Sequence, residues 1–179
     1  MSIARHALWA ACLGLPAVAA DRPNGPGLGK AAPAQYVAAR NTSIYPDGRG
    51  LPEGRGTAEG GRKVYQQKCA SCHGDRGEGG SGGHLAGRGP LTGENADKTV
   101  GNYWPFATTI FDFTRRAMPM SAPGSLSADE TYAVTAFLLY LNEIIGADVE
   151  MNPRTLPAVR MPNRDGFVWI DVPQPGKRR

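Results

Sequence analysis

The feature that most constrains this chain is a run of five residues, Cys69-Ala70-Ser71-Cys72-His73. Two residues between the cysteines let one turn of chain set both sulfurs against the two vinyl groups of a haem, and the adjacent histidine swings beneath the iron. The spacing predicts one covalently bound haem c, attached through Cys69 and Cys72, with His73 as an axial iron ligand. A redox-active cysteine pair would normally follow a strand in a βαβ pattern, and no such pattern is legible here. A structural zinc site needs four ligands. Beyond residue 20 the chain has two cysteines and two histidines, too close together for known zinc spacings.

Residues 1–20 have the features of a processing signal: a basic start at Arg5 and His6, an apolar stretch from Ala7 to Ala19 interrupted by Pro16, and a small-residue end at Val18-Ala19-Ala20. About 20 unbroken apolar residues are needed to span a bilayer. This stretch is shorter and Asp21 follows at once, so we expect cleavage after Ala20 or one residue earlier, no membrane span afterwards, and a periplasmic protein. Cys12 leaves with the peptide. The mature chain then keeps only Cys69 and Cys72, which rules out a disulfide framework. Cleavage removes one basic residue and no acidic one, so 19 basic residues face 16 acidic ones and the net charge is +3. Dense positive charge occurs only at Lys177-Arg178-Arg179, and we expect no nucleic-acid partner.

The 179 residues suit one ordinary domain with extensions. Residues 21–57 are rich in Gly and Pro and predict an extended arm, with Tyr36, Val37, Ile44, Tyr45 and Leu51 available to pin it across a core. Residues 58–146 form the domain itself. A first helix runs from Ala58 to about Cys69, entered through Thr57 as N-cap, and delivers the cysteine pair at its end. Ten glycines between 74 and 101 then enforce a long loop. A second helix is expected from Pro105 to about Arg116, stopped by Pro119. Ser127-Ala128-Asp129-Glu130 is a capping box opening a third helix that runs to Ile145, with Gly146 at its end. Five prolines between 147 and 179 predict an irregular C-terminal extension, with Phe167-Val168-Trp169-Ile170 as one possible short strand. The fold class is all-α, a small helical domain whose few short helices need the haem to complete their core.

The far side of the iron needs a second ligand. Met118, followed by Pro119 and 45 residues beyond His73, stands directly after the second helix. A thioether there favours Fe(II) and raises the potential relative to a second imidazole. Met120 shares the turn and is the nearest competitor. Met151 and Met161 are distant, and any methionine can simply fill a core gap. His84, eleven residues from His73, more naturally wraps the same face of the iron. Pro90 is a candidate source of the carbonyl that a metal-bound histidine usually engages. Arg88, Trp104, Arg115 and Arg116 flank the loop and second helix and are candidates to bind the haem propionates.

Several stretches together resemble the cytochrome c subunits of Sox-type sulfite (sulfur) dehydrogenases. They are Pro46-Asp47-Gly48-Arg49-Gly50-Leu51-Pro52-Glu53-Gly54-Arg55-Gly56, Tyr103-Trp104-Pro105-Phe106-Ala107-Thr108-Thr109, Arg115-Arg116-Ala117-Met118-Pro119-Met120 and Met161-Pro162-Asn163-Arg164-Asp165-Gly166-Phe167. The likeness covers about residues 42–170. It implies a class I cytochrome c domain with Cys69, Cys72 and His73 on the haem and Met118 as distal ligand. It also implies electron transfer from a molybdenum-cofactor subunit that oxidises sulfite or a sulfur intermediate, onward to a downstream cytochrome or oxidase. Some relatives carry a second haem, but one motif here predicts one haem. Two rival functions stay open: an electron carrier for an unrelated periplasmic dehydrogenase, and a haem enzyme or sensor whose distal ligand comes off readily. Both extensions are expected either to dock a partner or to wrap their own core.

Overall fold

The computed structural model describes residues 29–168, so the expected signal at 1–20 and Trp169-Ile170 of the possible strand lie outside the described residues. Among the described residues, 29–40 belong to one unit and a compact second unit begins at Asn41. In the first unit the structure corrects the extended reading of the arm: Ala34–Arg40 is a seven-residue helix, α1. Between Pro33 and Asn41 no Gly or Pro interrupts the chain, two alanines lead into Arg40, and Arg40 lies 3.6 Å above the Tyr36 ring one turn back. Tyr36 and Val37 are each 52% exposed and do not act as core pins.

The second unit is built on three longer helices. Helix α2, Ala58–Lys68, starts where the Thr57 side chain accepts from the Gly60 amide at 3.4 Å. Helix α5, Ala128–Leu141, starts on a complete capping box: the Ser127 hydroxyl accepts from the Glu130 amide at 3.1 Å and the Glu130 carboxylate accepts from the Ser127 amide at 2.9 Å. Helix α5 is buried on every side from Thr131 to Leu139. Its two threonines remain satisfied there because Thr131 and Thr135 donate to the carbonyls four residues back, at 2.7 and 2.8 Å. Helix α2 crosses α5 closely at Gly61, where any Cβ would run into the Ala133 carbonyl. The Tyr65 and Phe137 rings pack beside that crossing at 5.1 Å. Helix α4, Ala107–Ala117, joins the same core through Phe111, whose ring lies 4.4 Å from that of Tyr132.

Two helix boundaries differ from expectation. Phe106, in extended backbone, precedes α4, so Pro105 stiffens the approach to the helix instead of occupying its first position. Helix α5 ends at Leu141, well before Gly146. Glu143 takes the left-handed φ of 56°, its amide donates to Tyr140 at 2.9 Å, and the Ile144 amide donates to Leu139 at 3.0 Å. That pair of bonds is a Schellman closure with glutamate where glycine usually stands.

The flanks also differ. Ile44 and Leu51 pack against the core, as expected of pins, whereas Tyr45 is 46% exposed. After α5 the chain is irregular but buried: Met151, Leu156 and Met161 are no more than 1% exposed and belong to the core cluster. Gly56 and Met151 form an isolated antiparallel bridge, with amide-to-carbonyl bonds of 2.9 and 2.8 Å. The described part of the C-terminal extension therefore wraps its own core, and Phe167 and Val168 carry no strand.

Candidate haem site

Cys69 ends α2 as its C-cap, and Ala70–His73 forms a single helical turn, α3, that carries the motif. The turn is closed by Cys72 and His73 amides on the Cys69 carbonyl, at 3.1 and 3.0 Å. Both cysteines are free thiols, Cys69 half-buried and Cys72 exposed. Burial pushes the Cys69 thiol up to about 11, so it stays protonated at neutral pH. A dithiol redox catalyst needs the opposite shift and an entry strand, and this site has neither. Among the described residues no three His, Cys, Asp or Glu side chains converge as a cage for a bare metal ion.

His73 is oriented by the loop that follows it. Its Nδ1 lies 2.7 Å from the Gly83 carbonyl. A carbonyl only accepts, so this bond assigns the proton to Nδ1 and leaves the Nε2 lone pair for a metal. The carbonyl is thus supplied by Gly83 and not by Pro90, which is exposed in the loop. The glycines here have a steric reason: a Cβ on Gly82 would fall 2.7 Å from His73 Cε1, so only glycine lets the chain pass so near the ring. Oriented imidazole, two free thiols beside it and a half-buried apolar surface fit a covalently attached haem c. Cys69, Ala70, Leu85 and Trp104 all pack partly buried against the same core, which gives the group an apolar wall.

Met118 is the C-cap of α4 and is half-buried, its amide donating to Thr114 at 3.0 Å. Met120 is 80% exposed, and Met151 and Met161 are sealed in the core. His84 is paired with Asp97 at 3.1 Å in the loop that also holds Gly83. Of the propionate candidates, Arg88 is paired with Glu143 at 3.0 Å, and Arg116 with Asp112, its Nε at 3.0 Å. Both pairs compete with a propionate. Trp104 is half-buried between the rings of Tyr103, at 5.9 Å, and Phe113, at 6.2 Å. Trp104 and Arg115 make no side-chain hydrogen bond to another described residue.

Sequence reasoning missed Asn142, which is 1% exposed and joins the end of α5 to the loop at Leu85 and Gly87. It also missed Thr99 and Asn102, which hold that loop from its far end: Thr99 donates to the Gly87 carbonyl at 2.5 Å and Asn102 to Gly89 at 2.9 Å. No motif marks a lone asparagine after an apolar helix. An unpaired amide at the buried end of such a helix is the signal that would have found it.

Residues 56–138 match the family described as cytochrome C oxidase, cbb3-type, subunit III. No curated protein matches. Among solved structures, the chain is similar to a chain of the sulfane dehydrogenase SoxCD from Paracoccus pantotrophus, at 41% identity and a TM-score of 0.74, over 82% of this chain and 73% of that one. The second likeness reaches beyond the core helices into the flanks, where the bridge from Gly56 to Met151 lies. On that identity and coverage, this chain belongs to the cytochrome c subunit family of Sox-type sulfur dehydrogenases.

Proposed function

We propose that the protein is a periplasmic carrier that takes single electrons from a molybdenum-dependent sulfite or sulfur dehydrogenase subunit and hands them to a downstream cytochrome or oxidase. The observation that carries this reading is the 41% identity to a SoxCD chain over 82% of the present one. That relative is named a sulfane dehydrogenase, which favours a sulfur intermediate over free sulfite as the donor's substrate.

Haem c held at this site would supply a one-electron couple. Cys69 and Cys72 would fix it through thioether bonds, and His73, locked in one tautomer by Gly83, would present Nε2 to the iron. Met118, half-buried at the end of α4, would be the second residue to hold the iron. Trp104 and Arg115, with no competing side-chain hydrogen bond among the described residues, are the better propionate donors of the four candidates. No helix among the described residues is long and apolar enough to cross a membrane.

The test is to co-express the chain with the molybdenum-cofactor subunit of a Sox-type sulfur dehydrogenase, purify what binds, and add sulfite or a persulfide. Reduction of the haem by the sulfur compound, with both chains eluting together, is expected. Elution always alone, or reduction by an alcohol and not by sulfur compounds, refutes the choice of donor.

A further inference from the structure

We propose that Asn142 is a positioning residue for His73: by clamping the loop at residues 85–87 to the end of α5, it holds the Gly83 carbonyl against the imidazole and sets the donor strength of Nε2. Asn142 Oδ1 accepts from the Gly87 amide at 3.0 Å, and Nδ2 donates to the carbonyls of Leu85 at 3.2 Å and Leu138 at 2.8 Å. A residue that merely ended the helix would need only the bond to Leu138. The two bonds to the loop ask for a different explanation.

Gly83 sits on a span with two sets of anchors. On one side the Gly82 amide donates to Cys72 at 2.8 Å and the Gly79 amide to His73 at 2.7 Å. Those anchors move with the motif turn itself, so they cannot fix the imidazole relative to the rest of the molecule. On the other side the Leu85 and Ala86 amides close on the Gly77 carbonyl at 2.8 and 2.9 Å, and Asn142 fastens the result to the core helix. The neighbouring tie from the loop to this end of α5, Arg88 to Glu143, is exposed and correspondingly weak. Asn142 is therefore the buried link through which the helix holds the loop, and a firm Nδ1 hydrogen bond makes a metal-bound imidazole a stronger donor.

The inference rests on His73 being a haem ligand and not on which donor feeds the haem. Its test compares the mature holoprotein with Asn142→Ser, Asn142→Asp and Asn152→Ala, reading the midpoint potential and the solvent exchange of the His73 ring N–H by NMR. Serine can keep the bond to Leu138 but cannot reach the loop. Aspartate keeps an acceptor for Gly87, and Asn152 is a similarly bonded asparagine in the C-terminal extension. Asn142→Ser should speed exchange on the order of fivefold to tenfold and raise the potential, because a poorer donor favours the reduced iron. Asn142→Asp should fall between, and it carries the test if the serine variant loses its haem. An unshifted potential and exchange in Asn142→Ser, or changes no larger than those of Asn152→Ala, overturn the proposal. Colourless wild-type protein would bring down the haem reading as well.

Discussion

Lys68 and Glu130 meet at 2.8 Å, joining the last residue of α2, next to Cys69, to the first turn of α5. The lysine, and then the Ser127 amide, hold the Glu130 carboxyl below the usual glutamate range. A carboxyl whose folded value is depressed contributes stability above its unfolded value and loses it as the pH falls through the folded one. The pair is one-third exposed on each side. Denaturant melts should therefore give a coupling of about 0.5–1 kcal/mol in a Lys68→Met, Glu130→Gln cycle. Acid titration of Glu130→Gln should show a shallower loss of stability below the ordinary glutamate range than wild type.

At the other end of the pH scale, the buried hydroxyls of Tyr65 and Tyr132 are pushed up to about 12, chiefly by burial. They donate to the Gly74 carbonyl at 2.8 Å and the Pro52 carbonyl at 2.9 Å. Each raised value favours the folded state below about pH 10, and that contribution is lost as the pH climbs towards 12. Up to roughly 2–3 kcal/mol per tyrosine is at stake. Circular dichroism across this window should show a steep alkaline loss in wild type and a gentler one in Tyr65→Phe and Tyr132→Phe.

Glu143 occupies left-handed backbone at φ 56°, where a side chain is strained. Replacing it with glycine removes that strain and gives up an exposed ion pair with Arg88. We expect Glu143→Gly to stabilise the protein by about 0.5–1 kcal/mol. A lower melting temperature in the variant would mean that the Arg88 pair outweighs the backbone.

Met118 and Met120 can be told apart by their spectra. Met118→Ala in the oxidised holoprotein should abolish the weak sulfur-to-iron charge-transfer band and introduce high-spin features, and Met120→Ala should leave both untouched. The reverse result would move the distal ligand by two residues, and wild type lacking the band would favour the labile-ligand enzyme.

What was legible in the sequence is what is local. The haem motif, the Thr57 cap and the Ser127 capping box each satisfy their geometry within a few residues, and the structure places all three on the expected elements. The acceptor for His73 was not legible, because every residue carries a carbonyl and only the path of a glycine-rich loop decides which one arrives. Burial of Met151, Leu156 and Met161 was hidden for a related reason: a proline-rich segment packs without any period to read. The end of α5 was misplaced because Gly146 advertised a stop that Glu143 had already made.

The bridge from Gly56 to Met151 pairs residues from before α2 and after α5. A polypeptide synthesised from its N-terminus exposes both thiols long before Met151, Leu156 and Met161 exist to seal the interior. The irregular segment after α5 is thus the last part of the described core to leave synthesis, and it clasps the helices through that bridge.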